Sequence, residues 1–145
     1  MKKNLISNAK NFGFTLIELL VVISIIALLS SIVLATLNSS RDKAGNSTVK
    51  AQLSNIRSQA SLLCGDGSAS CASVCLDGTI NSMITYARTV GGGTGINTTI
   101  FCSTSAWMAV AKLKSVENGN AYWCVDSNGG SRGRNDVASG VGVCP

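Results

Sequence analysis

The sequence predicts an α+β fold: a long N-terminal helix, apolar on every side in its first half and amphipathic in its second, packed on a small antiparallel β-sheet and stapled by disulfides. Three observations predict it. An unbroken apolar stretch runs from Phe14 to Leu37, a single apolar stripe follows from Val49 to Leu63, and β-type segments with turn signals fill the chain beyond Thr98. All six cysteines lie after the apolar stretch.

Phe14 to Leu37 (FTLIELLVVISIIALLSSIVLATL) is 24 residues without Gly or Pro and with one charge, Glu18. As a helix it is ~36 Å long, enough to cross a bilayer core. Apolar side chains face every direction, so the whole circumference needs apolar neighbours. A carboxylate in such a helix costs a few kcal/mol and is usually kept for a partner. Glu18 therefore asks for a cation.

The stretch is preceded by Met1 to Gly13 (MKKNLISNAKNFG), which carries Lys2, Lys3 and Lys10 and no acid. This short basic head, Gly13, and then Phe14-Thr15-Leu16-Ile17-Glu18 resemble the class III signal of type IV prepilins and pseudopilins. The resemblance is strong from about residue 10 to residue 40. It implies cleavage by a membrane prepilin peptidase between Gly13 and Phe14, with N-methylation of the new N-terminus at Phe14. It further implies that Glu18 meets the N-terminal amine of a neighbouring subunit during assembly. One departure is Ala35, which stands where many members carry Pro.

The chain then divides into a leader (1–13), a transmembrane or filament-core helix (14–37) and an extracytoplasmic domain (38–145). The leader lysines hold the N-terminal end in the cytoplasm by the positive-inside tendency. Arg41 and Lys43 beyond the stretch weaken that asymmetry, although Asp42 lies between them.

Past Leu37 the helix can continue. Gly45-Asn46 is its weakest point, costing about 1 kcal/mol or more against better helix formers, and a local bend is expected there. Val49, Leu53, Ile56, Ala60 and Leu63 then follow at steps of four and three residues, one stripe against one core. A nearly continuous helix from Phe14 to about Leu63 results.

Cys64 to Gly78 (CGDGSASCASVCLDG) reads as a crosslinked loop with no helix or strand of its own. Asp77 is a plausible N-cap for a short helix over Thr79 to Val90, ended by Gly91-Gly92-Gly93. Strands follow at Thr98 to Cys102, Ala106 to Leu113 and Ala121 to Val125, with Glu117-Asn118-Gly119-Asn120 turning between the last two. In the second strand Trp107, Ala109, Ala111 and Leu113 alternate with Met108, Val110, Lys112 and Lys114, which predicts one buried face and wet lysines. The tail from Ser127 is rich in Gly and Ser, and Val137, Val141 and Val143 could add an edge strand.

An even number of cysteines in a membrane-anchored domain of about 100 residues reads as a disulfide framework in an oxidising compartment, outside the cytoplasm. Six cysteines allow 15 pairings. The favoured set is Cys64 with Cys71, closing a Gly/Ser loop; Cys75 with Cys102, tying that loop to the first strand; and Cys124 with Cys144, anchoring the tail. Its nearest competitor joins Cys102 to Cys124. A four-cysteine zinc site is disfavoured, because Cys64 to Cys71 is too wide for a ligand pair. Asp126-Ser127-Asn128-Gly129-Gly130-Ser131 resembles the start of a calcium loop but lacks the closing acid, so a plain turn is preferred.

The sequence contains no His, which removes Ser-His-Asp and Cys-His catalysis and imidazole metal ligands. No catalytic residue, metal or cofactor is expected. Removing the leader lysines lowers the net charge from +5 to +2, too little to argue for nucleic acid, and Arg132 and Arg134 are expected to face solvent.

The expected function is that of a structural subunit of a type IV pilus or pilus-like filament. The expected partners are further copies of the chain, the prepilin peptidase/methyltransferase, the inner-membrane assembly machinery and, before assembly, the membrane. The competing expectations are a secretion pseudopilin or minor pilin, and a single-pass anchored or secreted disulfide-rich binding domain. In the secreted case an ordinary signal peptidase would cut after Val33-Leu34-Ala35.

Overall fold

Helix α1 is one unbroken α-helix, Leu16–Leu63, 48 residues long. The computed structural model describes residues 13–64, 70–93, 97–136 and 143–144. Residues 1–12, within the expected leader, and the valines 137 and 141, where an edge strand was expected, lie outside the described residues. The chain divides into two units, Met1–Asn38 and Ser39–Pro145.

In the first unit the large apolar side chains are uncovered on every side, from Leu16 at 87% exposure to Leu34 at 65%. Several hydroxyls are turned back onto the helix itself: Ser24 donates to the Leu20 carbonyl (2.8 Å) and Ser31 to that of Leu28 (2.8 Å). Polar groups satisfied this way leave a surface compatible with lipid or with other apolar helices. This part of α1 meets the length and composition of a membrane span, with a mean hydropathy of 2.8.

In the second unit α1 packs on a four-stranded antiparallel meander. Its strands are β1 (Thr99–Cys102), β2 (Trp107–Glu117), β3 (Asn120–Asp126) and β4 (Ser131–Arg134), each paired with the next. The stripe residues Val49, Leu53, Ile56 and Ala60 are fully buried, and Leu63 is partly buried. They meet Trp107, Ala109, Ala111 and Leu113, the inward face of β2, and Val125 of β3. Helix α2 (Gly78–Gly91) adds Ile80, Ile84 and Ala87 to the same core.

The ends of α2 follow the local signals. The Asp77 carboxylate accepts from the Ile80 N–H at 2.8 Å, and Gly92 closes the helix in the left-handed region at φ 68°. Gly91 is required for another reason, since a Cβ there would lie 2.1 Å from the Lys112 carbonyl oxygen. Backbone approaches backbone at that point, and any side chain would force them apart. Asn118 and Gly119 both have positive φ, which fits the tight β2–β3 hairpin.

The structure departs from the expected pattern in four places. Cys71–Cys75 forms a 3-10 turn rather than plain loop, capped by Ser70, with Val74 buried in the core. The fourth strand is Ser131–Arg134, a segment read as tail; it forms because the Asp126–Gly130 turn brings it back alongside β3. The outer face of β2 is also covered: Met108 and Val110 are buried with Cys124 and Cys144, and Phe101 and Tyr122 flank them. Lys112 and Lys114 lie beyond that patch, partly buried and exposed respectively.

The fourth departure is at Gly45-Asn46, where α1 continues and docks β2. A Cβ on Gly45 would lie 3.0 Å from the Lys114 Cβ, so the missing side chain admits the strand. The buried Asn46 carboxamide takes over the role of a neighbouring strand. It donates to the Ser115 carbonyl (3.0 Å) and accepts from the Ser115 N–H (3.1 Å). The β2–β3 register shifts between Lys112 and Glu117, and Asn46 pairs the backbone there.

Candidate functional site

The residues expected to carry processing and assembly sit together at the start of α1. Gly13, Phe14 and Thr15 are non-helical, and Phe14 is 84% exposed. A peptide bond in exposed, non-helical backbone can enter an extended protease cleft without unwinding a helix first. The Gly13–Phe14 bond has that setting, and among the described residues nothing lies within 4 Å of the position a Gly13 side chain would occupy.

Glu18 is held by Thr15. The Thr15 N–H and hydroxyl both donate to Glu18 Oε2, at 2.9 and 2.7 Å, while the Glu18 N–H donates to Thr15 Oγ1 at 3.3 Å. This is a reciprocal capping box, which satisfies otherwise orphaned N–H groups at the helix start and is worth about 1 kcal/mol. The negative charge also lies at the positive end of the helix dipole. Thr15 was missed as a functional residue, although Thr15-Leu16-Ile17-Glu18 carries the threonine-to-glutamate spacing that announces such a cap. Among the described residues no cation of the same chain meets Glu18.

The cysteines form three disulfides: Cys64–Cys71, Cys75–Cys102 and Cys124–Cys144, with Cα separations of 4.6, 6.0 and 5.9 Å. The last closes the outer cluster. It is assisted by Asp126, a buried carboxylate that accepts from the N–H groups of Asn128 (2.9 Å), Gly130 (2.7 Å) and Cys144 (2.7 Å). The segment resembling a calcium loop is thus a turn organised by Asp126, whose oxygens already hold three backbone donors.

A second polar cluster secures α1 to the hairpin. Lys50 reaches Glu117 at 2.7 Å and lies 4.3 Å from the ring centre of Trp123, and Asn46 donates to the other Glu117 oxygen at 3.1 Å. Hydrogen bonds from Lys50 and then Asn46 hold the Glu117 carboxyl below its usual range. Arg132 is exposed as expected. Arg134 is not: its side chain is only 11% exposed and pairs with Asp136 at 3.0 Å. The Trp123 indole N–H is occupied by Ser131 Oγ at 3.2 Å.

Residues 8–34 match the model of the prokaryotic N-terminal methylation motif, a range that includes the Gly13–Phe14 bond and most of the apolar stretch. That motif marks a structural rather than a catalytic class of protein. No curated protein and no solved structure matches the chain. With the methylation motif leading directly into α1, and α1 packed on a small disulfide-bonded antiparallel sheet, the chain is type IV pilin-like.

Proposed function

We propose that the chain is a non-enzymatic structural subunit of a type IV pilus or a closely related pseudopilin filament. The observation that carries this reading is the exposed, non-helical Gly13–Phe14 bond directly before a helix that is apolar on all sides and opened by Glu18. A prepilin peptidase cuts that bond on the cytoplasmic side of the inner membrane, and the Phe14 amine is methylated. The helix stays in the membrane, with the disulfide-bonded domain outside the cytoplasm, until the assembly machinery draws it into an extracellular filament of identical subunits.

In a filament core Glu18 loses its access to water and headgroups. The amine freed at Phe14 of a docking neighbour, shifted by about one helical turn, sits level with it. Opposite charges in a low-dielectric core attract far more strongly than in water, and a misplaced subunit would leave both unmatched. The pair therefore sets register. The Thr15 cap holds the carboxylate in the single chain through one oxygen, Oε2, and Oε1 makes no bond among the described residues.

N-terminal analysis of the mature protein should begin at N-methylated Phe14; a start at Thr36 would show ordinary signal-peptide removal and end this reading. Glu18→Ala should leave insertion and cleavage intact while filaments fail to form. Glu18→Gln separates charge from cap, since glutamine still closes a capping box. It should fail in assembly as alanine does. Normal filament yield from either variant would remove the charge pairing.

A further inference from the structure

Four residues past Leu37 the chain carries Arg41 and, two further on, Lys43, both exposed. They stand on the side of the apolar stretch where the positive-inside tendency disfavours cations, so topology does not explain them. Folding adds a third cation. Gly45 has no side chain, and the stem of Lys114 on β2 packs there, its Cβ 3.0 Å from the position of a Gly45 Cβ. Arg41 lies four residues before Gly45, so folding brings exposed Lys114 to the face of α1 that carries Arg41.

None of the three forms an ion pair among the described residues, where the pairs are Lys50 with Glu117 and Arg134 with Asp136. The Lys114 ammonium stands 3.9 Å from the Cβ position of Gly92, at the C-terminal end of α2, which steadies a cation without cancelling its charge. Two carboxylates lie close by. Glu117 is matched by Lys50 at 2.7 Å, and Asp42 borders a notch with Asn46 and Ser115. Three exposed cations against Asp42 leave the patch positive, and like charges gathered by folding attract an external anion.

The position of the patch selects the anion. With the stretch ending at Leu37 in a membrane, the reading on which the proposal rests, chain connectivity alone keeps Arg41 and Lys43 at the bilayer surface. Basic side chains there are attracted by anionic lipid, and a zwitterionic surface gives them little. We propose that Arg41, Lys43 and Lys114 form a docking surface for the anionic phospholipid headgroups of the leaflet from which α1 emerges. The contact holds the folded domain on the membrane before assembly.

The test uses the full-length protein in vesicles of phosphatidylcholine alone or of an equal mixture with phosphatidylglycerol. Flotation first reads insertion in both; protein that does not float with either removes the span, and the proposal with it. A neutral amine-acylating reagent is then added, and each lysine is followed by peptide mass spectrometry. Lys43 and Lys114 should react about fivefold more slowly in the anionic vesicles, the scale of one basic side chain at such a surface, and high salt should abolish the difference. Lys50, further along α1 and paired with Glu117, is the internal reference and should not change. Lys114→Gln keeps the stem against Gly45 and should weaken the protection of Lys43, with an unchanged Lys50 rate reporting that the fold is kept. Arg41→Gln, at an exposed helix position, should do the same and decides alone if Lys114→Gln does not fold. Equal rates in the two vesicles, equal slowing at Lys50, or undiminished protection of Lys43 in the deciding variant each overturns the proposal. So does protection in phosphatidylcholine alone that grows with protein density, which would assign the patch to a second copy.

Discussion

The two halves of α1 are built from the same helix and solve opposite problems. Before Asn38 every large apolar side chain is uncovered, and the hydroxyls of Ser24, Ser31 and Thr36 are tied to the helix's own carbonyls. From Asn46 onward one apolar stripe is fully buried from Val49 to Ala60, and the other face, Leu62 included, is exposed or partly exposed. A single chain can supply the neighbours that the second half needs. The first half leaves its large apolar side chains uncovered among the described residues, which is the physical reason to look for a membrane or other subunits around it.

The sharpest break in this contrast comes from matched truncations. Leu53→Ala, at a fully buried position, should lower the stability of the domain by about 2 to 5 kcal/mol, read by urea unfolding with tryptophan fluorescence. Leu28→Ala, at a position 69% exposed, should change the same transition by less than about 0.5 kcal/mol. Equal effects would remove the contrast between the two halves.

A smaller effect is expected at the junction. Asn46→Leu keeps the helix and the volume but leaves the Ser115 N–H and carbonyl without their partner. Stability should fall by about 1 to 3 kcal/mol, the cost of orphaned buried polar groups. No loss would show that water replaces the carboxamide without penalty.

The smallest effect is electrostatic. Glu117 titrates lower in the folded protein than in the unfolded chain, because Lys50 and Asn46 donate to its carboxylate. Its contribution is complete above the unfolded value of about 4.3 and is lost as pH falls through the lower folded value. Melting temperatures of Glu117→Gln should therefore fall less steeply than those of the parent in that acid window. Parallel curves would assign the acid sensitivity to other carboxylates.

Much of this architecture is legible locally. The stripe on α1, the Asp77 cap, the Gly stop of α2 and the Asn118-Gly119 turn each depend on neighbours within a few residues, and pattern alone locates them. The start of α1 is legible in the same way, Thr15 included, once its spacing to Glu18 is read as a cap. What stays hidden depends on distant chain. Ser131–Arg134 has no strand-like composition and becomes β4 only by pairing with β3. Asn46 reads as a helix weakness because its partner, Ser115, lies 69 residues away. The outer face of β2 reads as half-wet because its cover includes Cys144.

The placement of the disulfides has a mechanical consequence. At its far end α1 is stitched covalently onward: Cys64 joins Cys71, and Cys75 of the same 3-10 turn joins Cys102 on β1. At its near end, around Asn46 and Lys50, the described attachments are hydrogen bonds and one ion pair. A load entering through the first half of α1 therefore reaches the breakable attachments first. The domain would peel open from Asn46 and be arrested at Cys64, extensible at one end and tethered at the other.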